Sequence, residues 1–495
     1  MNPIMRTYWT AKGVGWDNLP RRILQLLRVR SGWLAAKLKP ENFTDSAYAG
    51  ELLKPVDWRN VASRMPFKIP SRETLGKIVT DHLWRFRVER IAEKAHSREF
   101  MYFSNWFAKP RDFNHDPVND VHWPVGEHWL RGDTLGGTDI KLLWEPNRFS
   151  VGYFLGRHYV RSGDESVAEL FWRLVDDWVE QNPPELTRNW SCGQEAAFRM
   201  MAILFGTVCT LDSQAARPER LNRVAMLAWQ TARHIAVNIN YARSQGNNHA
   251  ISEALWLITA GVVFGENFAP ASRWLSDGLD IMCREIRRQV MDDGSYAQHS
   301  MNYHRLVMDD LLWTFGILRA GGIVVPDVMR EKFEKLTCWI EEMADENTGR
   351  VPNYGPNDGA KVLPLSCCDY VDYRPTIQAA WYEVFGKSRY HAGCWNEKKL
   401  WLYGEESLDA PKSDVKKTAA FNAASGGYYV MRGRTSMALH AVIRIRAGPI
   451  RTTCCMSTFG MKAKTSCVTQ AVSATTRQSR GADIFHRRLP IILSP

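Results

Sequence analysis

Two stretches decide how this chain folds: SQGNNHAISEALWL at 244–257 and DDGSYAQHSMNYHRLVMDDLLW at 292–313. Each joins a polar cluster, Asn247-Asn248-His249 in the first and Tyr303-His304-Arg305 in the second, to an apolar run of helical period. A polar cluster at the head of a buried helix sits where unpaired backbone N–H groups and the positive end of the helix dipole face outward. The two heads therefore line a shared cavity better than they fill a core. His249 and Tyr303 lie 54 residues apart, about the length of two helical hairpins.

Outward from this pair the helical signal continues from about 150 to 385. In DESVAELFWRLVDDWVEQNPP the apolar residues Val167, Leu170, Phe171, Leu174, Val175 and Trp178 repeat at helical spacing, between an acidic start and a Pro-Pro stop. Comparable segments are predicted at about 193–209, 219–240, 249–264, 271–290, 303–320, 326–344 and 375–386. Successive antiparallel pairs of this length build a solenoid or a closed α/α toroid, and no fixed-period repeat supports the solenoid.

The flanks read differently. Residues 1–60 are basic and amphipathic, with RRILQLLRVRSGWLAAKL predicting one helix that packs on the main body. The stretch from about 60 to 150 is rich in Trp, Pro and Gly and predicts loops with short elements. A charged linker at 391–420 precedes YYVMRGRTSMALHAVIRIRAG, whose β-branched and aromatic content predicts opening strands of a β domain from 421 onward. The fold expected is mainly α: an incomplete α/α toroid of antiparallel helical hairpins over 61–390, followed by the truncated start of an antiparallel β-sandwich over 421–495.

Composition excludes several functions. Of the net charge of +11, eight units fall in residues 441–495, so the basic balance is poor support for nucleic-acid binding. Ten scattered cysteines without a CxxC pair read as reduced structural thiols, and no metal or cofactor is expected. No signal-peptide pattern and no apolar run of membrane-spanning length is present, which places the expected location in the cytoplasm, with periplasm or export as the alternatives.

In order along the chain, TDIKLLWEPNRF (138–149), NWSCGQEAAFRM (189–200), NNHAISEALWL (247–257), DDGSYAQHSMNYHR (292–305), NYGPNDG (353–359) and SGGYYVMRG (425–433) resemble the heparinase II/III-like polysaccharide lyases. That resemblance, over roughly residues 1–440, implies an α/α toroid followed by a β-sandwich and an acidic polysaccharide or oligosaccharide as partner. It assigns catalysis to an Asn or His of the NNH cluster and to the Tyr of the YH pair, and it implies a histidine from the sandwich that completes the site. His440 and His486 are not credible substitutes for that histidine. All twenty tryptophans and sixteen tyrosines precede residue 441. Back-translated codons for 456–476 and 483–494, read from the third base, give sequences closer to the family's sandwich than the tail as written. A frameshift between about 440 and 456 is the reading that follows.

Lyase chemistry removes the C5 proton of a uronate and expels the 4-O-linked sugar. The enzyme must stabilise a developing carboxylate dianion and move protons beside the scissile bond. Asn248 and His249 suit the first task as donors to the carboxylate. Tyr303 suits the second: its phenol, with an ordinary pKa of about 10, would act as phenolate if His304, Arg305 or His249 stabilised it. Substrate-binding candidates are Asn247, His304, Arg305, Glu195, Arg199, Asn353, Tyr354, Asn357 and Asp358. Each has an ordinary structural reading: Asn247 and Asn248 as helix caps, Tyr303 as a packed aromatic, Glu195 with Arg199 as an intrahelical ion pair, and 353–358 as turn chemistry. The function expected is a lyase impaired by loss of the sandwich. The alternatives are a non-catalytic glycan-binding toroid using its Trp-rich loops, and a glycoside hydrolase with paired carboxylates.

Overall fold

The helix expected after Asp164 forms over Glu165–Gln181. The Asp164 carboxylate caps it by accepting the Ser166 N–H, and the predicted apolar face is buried. The computed structural model describes residues 19–131, 138–433, 437–444 and 453–459. Its main helices are α1 (Lys141–Asn147), α2 (Val151–Ser162), α3 (Glu165–Gln181), α4 (Gly193–Cys209), α5 (Pro218–Gln245), α6 (His249–Val263), α7 (Ala271–Gln289), α8 (Met301–Ala320), α9 (Asp327–Met343), α10 (Arg374–Phe385) and α11 (Asn396–Tyr403).

These helices form two layers. The inner helices α2, α4, α6, α8 and α10 pack successively against one another, while α3, α5, α7 and α9 lie outside them. Sequence explains the layering. Every residue of α4 is buried, as are all of α6 except His249 and all of α8 through Leu318 except Tyr303. A helix buried on all sides belongs inside, with charged residues such as Glu195 and Asp309 paired internally, whereas the outer α7 buries Trp274, Ile281, Met282 and Ile286 and exposes Arg273, Asp277 and Arg284. Close approach of α6 and α7 depends on glycine. A Cβ on Gly261 would fall 2.6 Å from Leu275 Cβ, and one on Gly278 would fall 3.0 Å from the Ala254 carbonyl oxygen.

Three sequence expectations are corrected. The basic N-terminal segment is two helices, Leu19–Arg30 and Trp33–Lys37, separated at Gly32 with φ of +73°. The first touches α5 through a Gln25–Asn238 hydrogen bond while Ile23, Leu24, Leu26 and Leu27 stay exposed, so its apolar face is not what packs. The 60–150 stretch includes helices at Arg72–Ile78 and a helical run over Asp81–His96, ahead of two short hairpins. Finally, 391–420 is not simply a linker, because α11 is buried within it. Its charges are internal: Arg157 binds Glu397 at 2.9 and 2.6 Å, and Lys398 donates to Asp309 at 2.7 Å.

The β domain appears as an antiparallel four-stranded meander, β1 (Ala420–Ala423), β2 (Tyr428–Arg432), β3 (Met437–Arg444) and β4 (Thr453–Phe459). Along β2, Tyr428 and Val430 are buried and Tyr429 and Met431 are exposed, the alternation of a half-covered sheet. The sheet docks on the helices through Tyr428, whose hydroxyl meets His299 Nδ1 at 2.8 Å and whose ring packs edge-on against Trp339. The 460–495 tail, with the proposed out-of-frame stretch that extends from 456 into it and with His486, lies outside the described residues. Seven cysteines among the described residues are free, and two of them, Cys368 and Cys394, bring their sulfurs to 3.4 Å. No helix among the described residues is long and apolar enough to cross a membrane.

Candidate active site

The inner helices α4, α6 and α8 begin at Gly193, His249 and Met301, and their N-terminal ends gather around one set of polar side chains. Asp358, on the loop after α9, is the hub. It accepts hydrogen bonds from Tyr303 Oη at 3.1 Å, Lys141 Nζ at 3.1 Å and Asn302 Nδ2 at 3.2 Å. Burial works to raise its pKa, but the charges of Arg148 and Lys141 and the hydrogen bonds from Lys141 and Tyr303 outweigh it and hold the carboxyl below its ordinary range. Gly359 gives the loop its turn: at φ of +72° it passes so close to Phe103 that a Cβ would sit 2.1 Å from the Phe103 carbonyl oxygen.

Tyr303 is therefore a phenol donating to a carboxylate. Burial, then the charge of Asp358 and the hydrogen bond to it, raise its pKa, so the resting group is protonated. Two of the expected phenolate stabilisers, His304 and Arg305, are not in place. His304 turns the other way, stacked on Trp339 with Nε2 on the Leu336 carbonyl at 3.0 Å, and burial pushes it down to about 4. Arg305 stands behind the site, donating to Asn302 Oδ1 at 3.1 Å and to the Tyr370 carbonyl, with its guanidinium over the rings of Tyr370 and Tyr373. It steadies Asn302, which in turn holds Asp358.

The NNH cluster divides its work. Asn247 makes the local turn, its Oδ1 accepting the His249 N–H at 3.1 Å. Asn248 is only 3% exposed and makes no side-chain cap; its backbone N–H goes to Gln298 Oε1 at 3.0 Å, and its amide has no protein partner among the described residues. His249 is pushed down to about 4 by burial first and then by Arg148 and Lys141, against Glu195 and Asp358. It is a neutral imidazole at physiological pH. Its Nδ1 lies 3.7 Å from Cys192 Sγ, a thiol that burial and the nearby Glu195 and Glu253 keep protonated. In the tautomer in which the protonated thiol donates to Nδ1, the ring proton sits on Nε2 and His249 is a neutral donor.

Glu195 pairs with Arg148, which grips it through Nε at 2.6 Å and Nη2 at 2.9 Å, and not with Arg199 as helical spacing predicted. Arg199 is fully buried, donates to the carbonyls of Asn147 and Asn189, and lies 4.1 Å from the centre of the Trp178 ring, well away from solvent. Asn353 and Asn357 are exposed on the loop. Asn357 accepts from the Tyr370 hydroxyl at 2.5 Å, and Tyr354 is buried against Tyr428. Trp123 is buried and Trp129 donates its indole N–H to Glu185, so these loop tryptophans are committed to packing.

Lys141, Glu145 and Arg148, within TDIKLLWEPNRF, join the site beyond the residues expected from the sequence. Their i, i+4, i+7 spacing is the signal, since it puts all three on one helical face. Glu145, which also binds Arg148 and accepts the Phe103 N–H at 2.7 Å, is raised to about 7 by burial, against the pull of Arg148.

Residues 85–343, a little over half of the chain, match the family described as Heparinase II/III N-terminus. A heparin-sulfate lyase of Bacteroides stercoris is 28% identical over 237 residues, covering 44% of this chain and 33% of the relative. One from Pedobacter heparinus is 27% identical over 210 residues, covering 41% and 29%. The chain thus spans about a third or less of the length of these curated relatives. The crystal structure of heparinase III superposes with a TM-score of 0.50 at 18% identity, over 75% of this chain and 54% of that one, a likeness of fold. With the ordered helical layers and the matched stretch from 85 to 343, this chain belongs to the heparinase II/III family.

Proposed function

We propose that the protein is a polysaccharide lyase that cleaves a uronate-containing acidic glycan by β-elimination. The observation that carries this reading is the juxtaposition of two neutral donors, Asn248 and His249, with a protonated phenol, Tyr303, at the ends of the inner helices. Asn248 has an amide free to meet a substrate carboxylate, and His249 offers Nε2–H without adding a charge that would lock the ground state. Both donate more strongly as the carboxylate becomes a dianion.

In the elimination the C5–H bond breaks, its electron pair becomes the C4=C5 double bond, and the C4–O4 bond breaks with its pair on O4. Tyr303 passes its phenolic proton to O4, while Asp358 and Lys141 keep the hydroxyl aimed. The C5 proton goes to the histidine that the family resemblance places on the β domain. No residue of the written sequence matches it, so we also propose that this form is impaired and that a frame-restored tail recovers activity. Sequencing the gene through codons 435–495 tests the second point.

The relatives named heparin-sulfate lyases make heparin and heparan-sulfate chains the first substrates to try. Ultraviolet absorbance of a 4,5-unsaturated uronate product is the assay. A saturated reducing-end product would mean hydrolysis, and binding without either product would mean a glycan-binding toroid.

A further inference from the structure

The loop that presents Asp358 to Tyr303 carries Lys361 three residues later, and Lys361 lines a cavity of about 110 Å³ together with Arg87, Ser104, Glu145, Arg148 and Tyr370. At about 30 Å³ per water, that space holds a few waters or one sulfate or carboxylate group. The cations on its wall differ in how they are used. Arg148 is occupied by Glu145 and Glu195. Arg87 is held by Asp369, a carboxylate that also lines the cavity, through one terminal nitrogen at 2.5 Å. Lys361 has neither a hydrogen bond nor an ion pair among the described residues, although two further cations, Arg305 and Lys398, lie close behind it.

A cationic side chain without a partner on the wall of a cavity makes an arrangement that an anion completes, because a desolvated ammonium without a counter-charge is costly. We infer that this cavity binds an oxyanion, a sulfate or carboxylate group, with Lys361 as its charged partner. Since Glu145 and Arg148 border both this cavity and the candidate active site, the occupant in a lyase would be an acidic substituent of the glycan; that part rests on the lyase reading. Burial, then Arg305 and Lys398, lowers Lys361 to about 7 against the opposing pull of Cys368 and Asp309, so an anion also gains by drawing a proton onto the amine.

The test is competitive acetylation of the full chain, read lysine by lysine by mass spectrometry across pH, with sodium sulfate, sodium glucuronate or sodium chloride at equal ionic strength. Lys361 is expected to react as an amine titrating near 7 in chloride and to be protected about tenfold, a one-unit rise, by saturating sulfate or glucuronate. The exposed Lys37 serves as the internal control and should not respond. Protection by both anions identifies a general oxyanion site, and protection by glucuronate alone shows that the sugar is read as well. Calorimetric sulfate binding should disappear in Lys361→Met. Labelling of Lys361 indifferent to every anion, or sulfate binding that survives Lys361→Met, overturns the inference. An anion-protected Lys361 in a protein that forms no unsaturated product would leave the cavity assignment standing and remove the lyase reading.

Discussion

Helix α8 meets two carboxylate–lysine pairs. Near its start Tyr303 donates to Asp358, which binds Lys141 at 3.1 Å; farther along, Asp309 binds Lys398 at 2.7 Å. The chemistry of the pairs is the same and their surroundings are not. Side chains of Lys141 and Asp358 are 38% and 17% exposed, whereas those of Lys398 and Asp309 are 0% and 1% exposed. Asp309 is closed in by Thr376 and the Leu363 N–H, leaving no room for a substrate. The inner pair ties α8 to α11, and the outer pair aims a phenol. Burial, not residue type, separates a structural ion pair from one available for catalysis.

The largest expected effect lies at the outer pair. In a frame-restored protein, Tyr303→Phe should lower kcat by about 10²–10⁴-fold, the usual contribution of a positioned proton donor, while the thermal midpoint stays put. Turnover retained in that variant would end the role given to Tyr303. At the inner pair, Lys398→Met should cost about 3–5 kcal/mol in urea unfolding, because Asp309 is left buried without its cation, yet activity per folded molecule should not change. Equal stability would show that the inner pair does not hold the helices together. Asn248→Ala is expected to reduce kcat by about 10²–10³-fold, as for removal of one donor to a developing negative charge. Unchanged kinetics would remove Asn248 from the site.

A smaller effect should appear in the dependence of stability on pH. Glu253, buried on α6 beneath the start of α4, is raised by burial to about 8 from an ordinary 4.5. Between those values the folded protein holds a proton that the unfolded chain has released, so stability should fall as pH rises through the window and level off above it. Glu253→Gln should flatten this slope in urea midpoints taken at intervals across the window. His249 and His304, both lowered to about 4, act with the opposite sign, and stability drawn from them is lost as pH falls from about 6.5 towards 4.

Much of the helical layer was legible in the sequence. Period and stop signals placed α3, α4 and α6–α10 within about two residues of their ends, because apolar spacing is a local property. The buried α11 was missed since its Glu-Lys-Lys run reads as solvated, and only partners on α2 and α8 make those charges internal. The same limit governs the site. His249 and Tyr303 stood out as polar heads of apolar helices, and they remain the residues of α6, and of α8 through Leu318, that are not buried. His304 and Arg305, adjacent to Tyr303, share its sequence neighbourhood but point to other sides of α8, since successive helical residues are turned by about 100°.

What the sequence determined by itself is the alternation of buried and amphipathic helices, the polar residues at their heads and the family they signal. Only tertiary structure decided which charges meet. Asp358 reaches Lys141 across 217 residues of chain, Glu195 chooses Arg148 over its own helical neighbour, and Lys361 is left facing a cavity without a partner. Pairing of this kind depends on distance and burial in three dimensions, which local spacing along a helix does not contain.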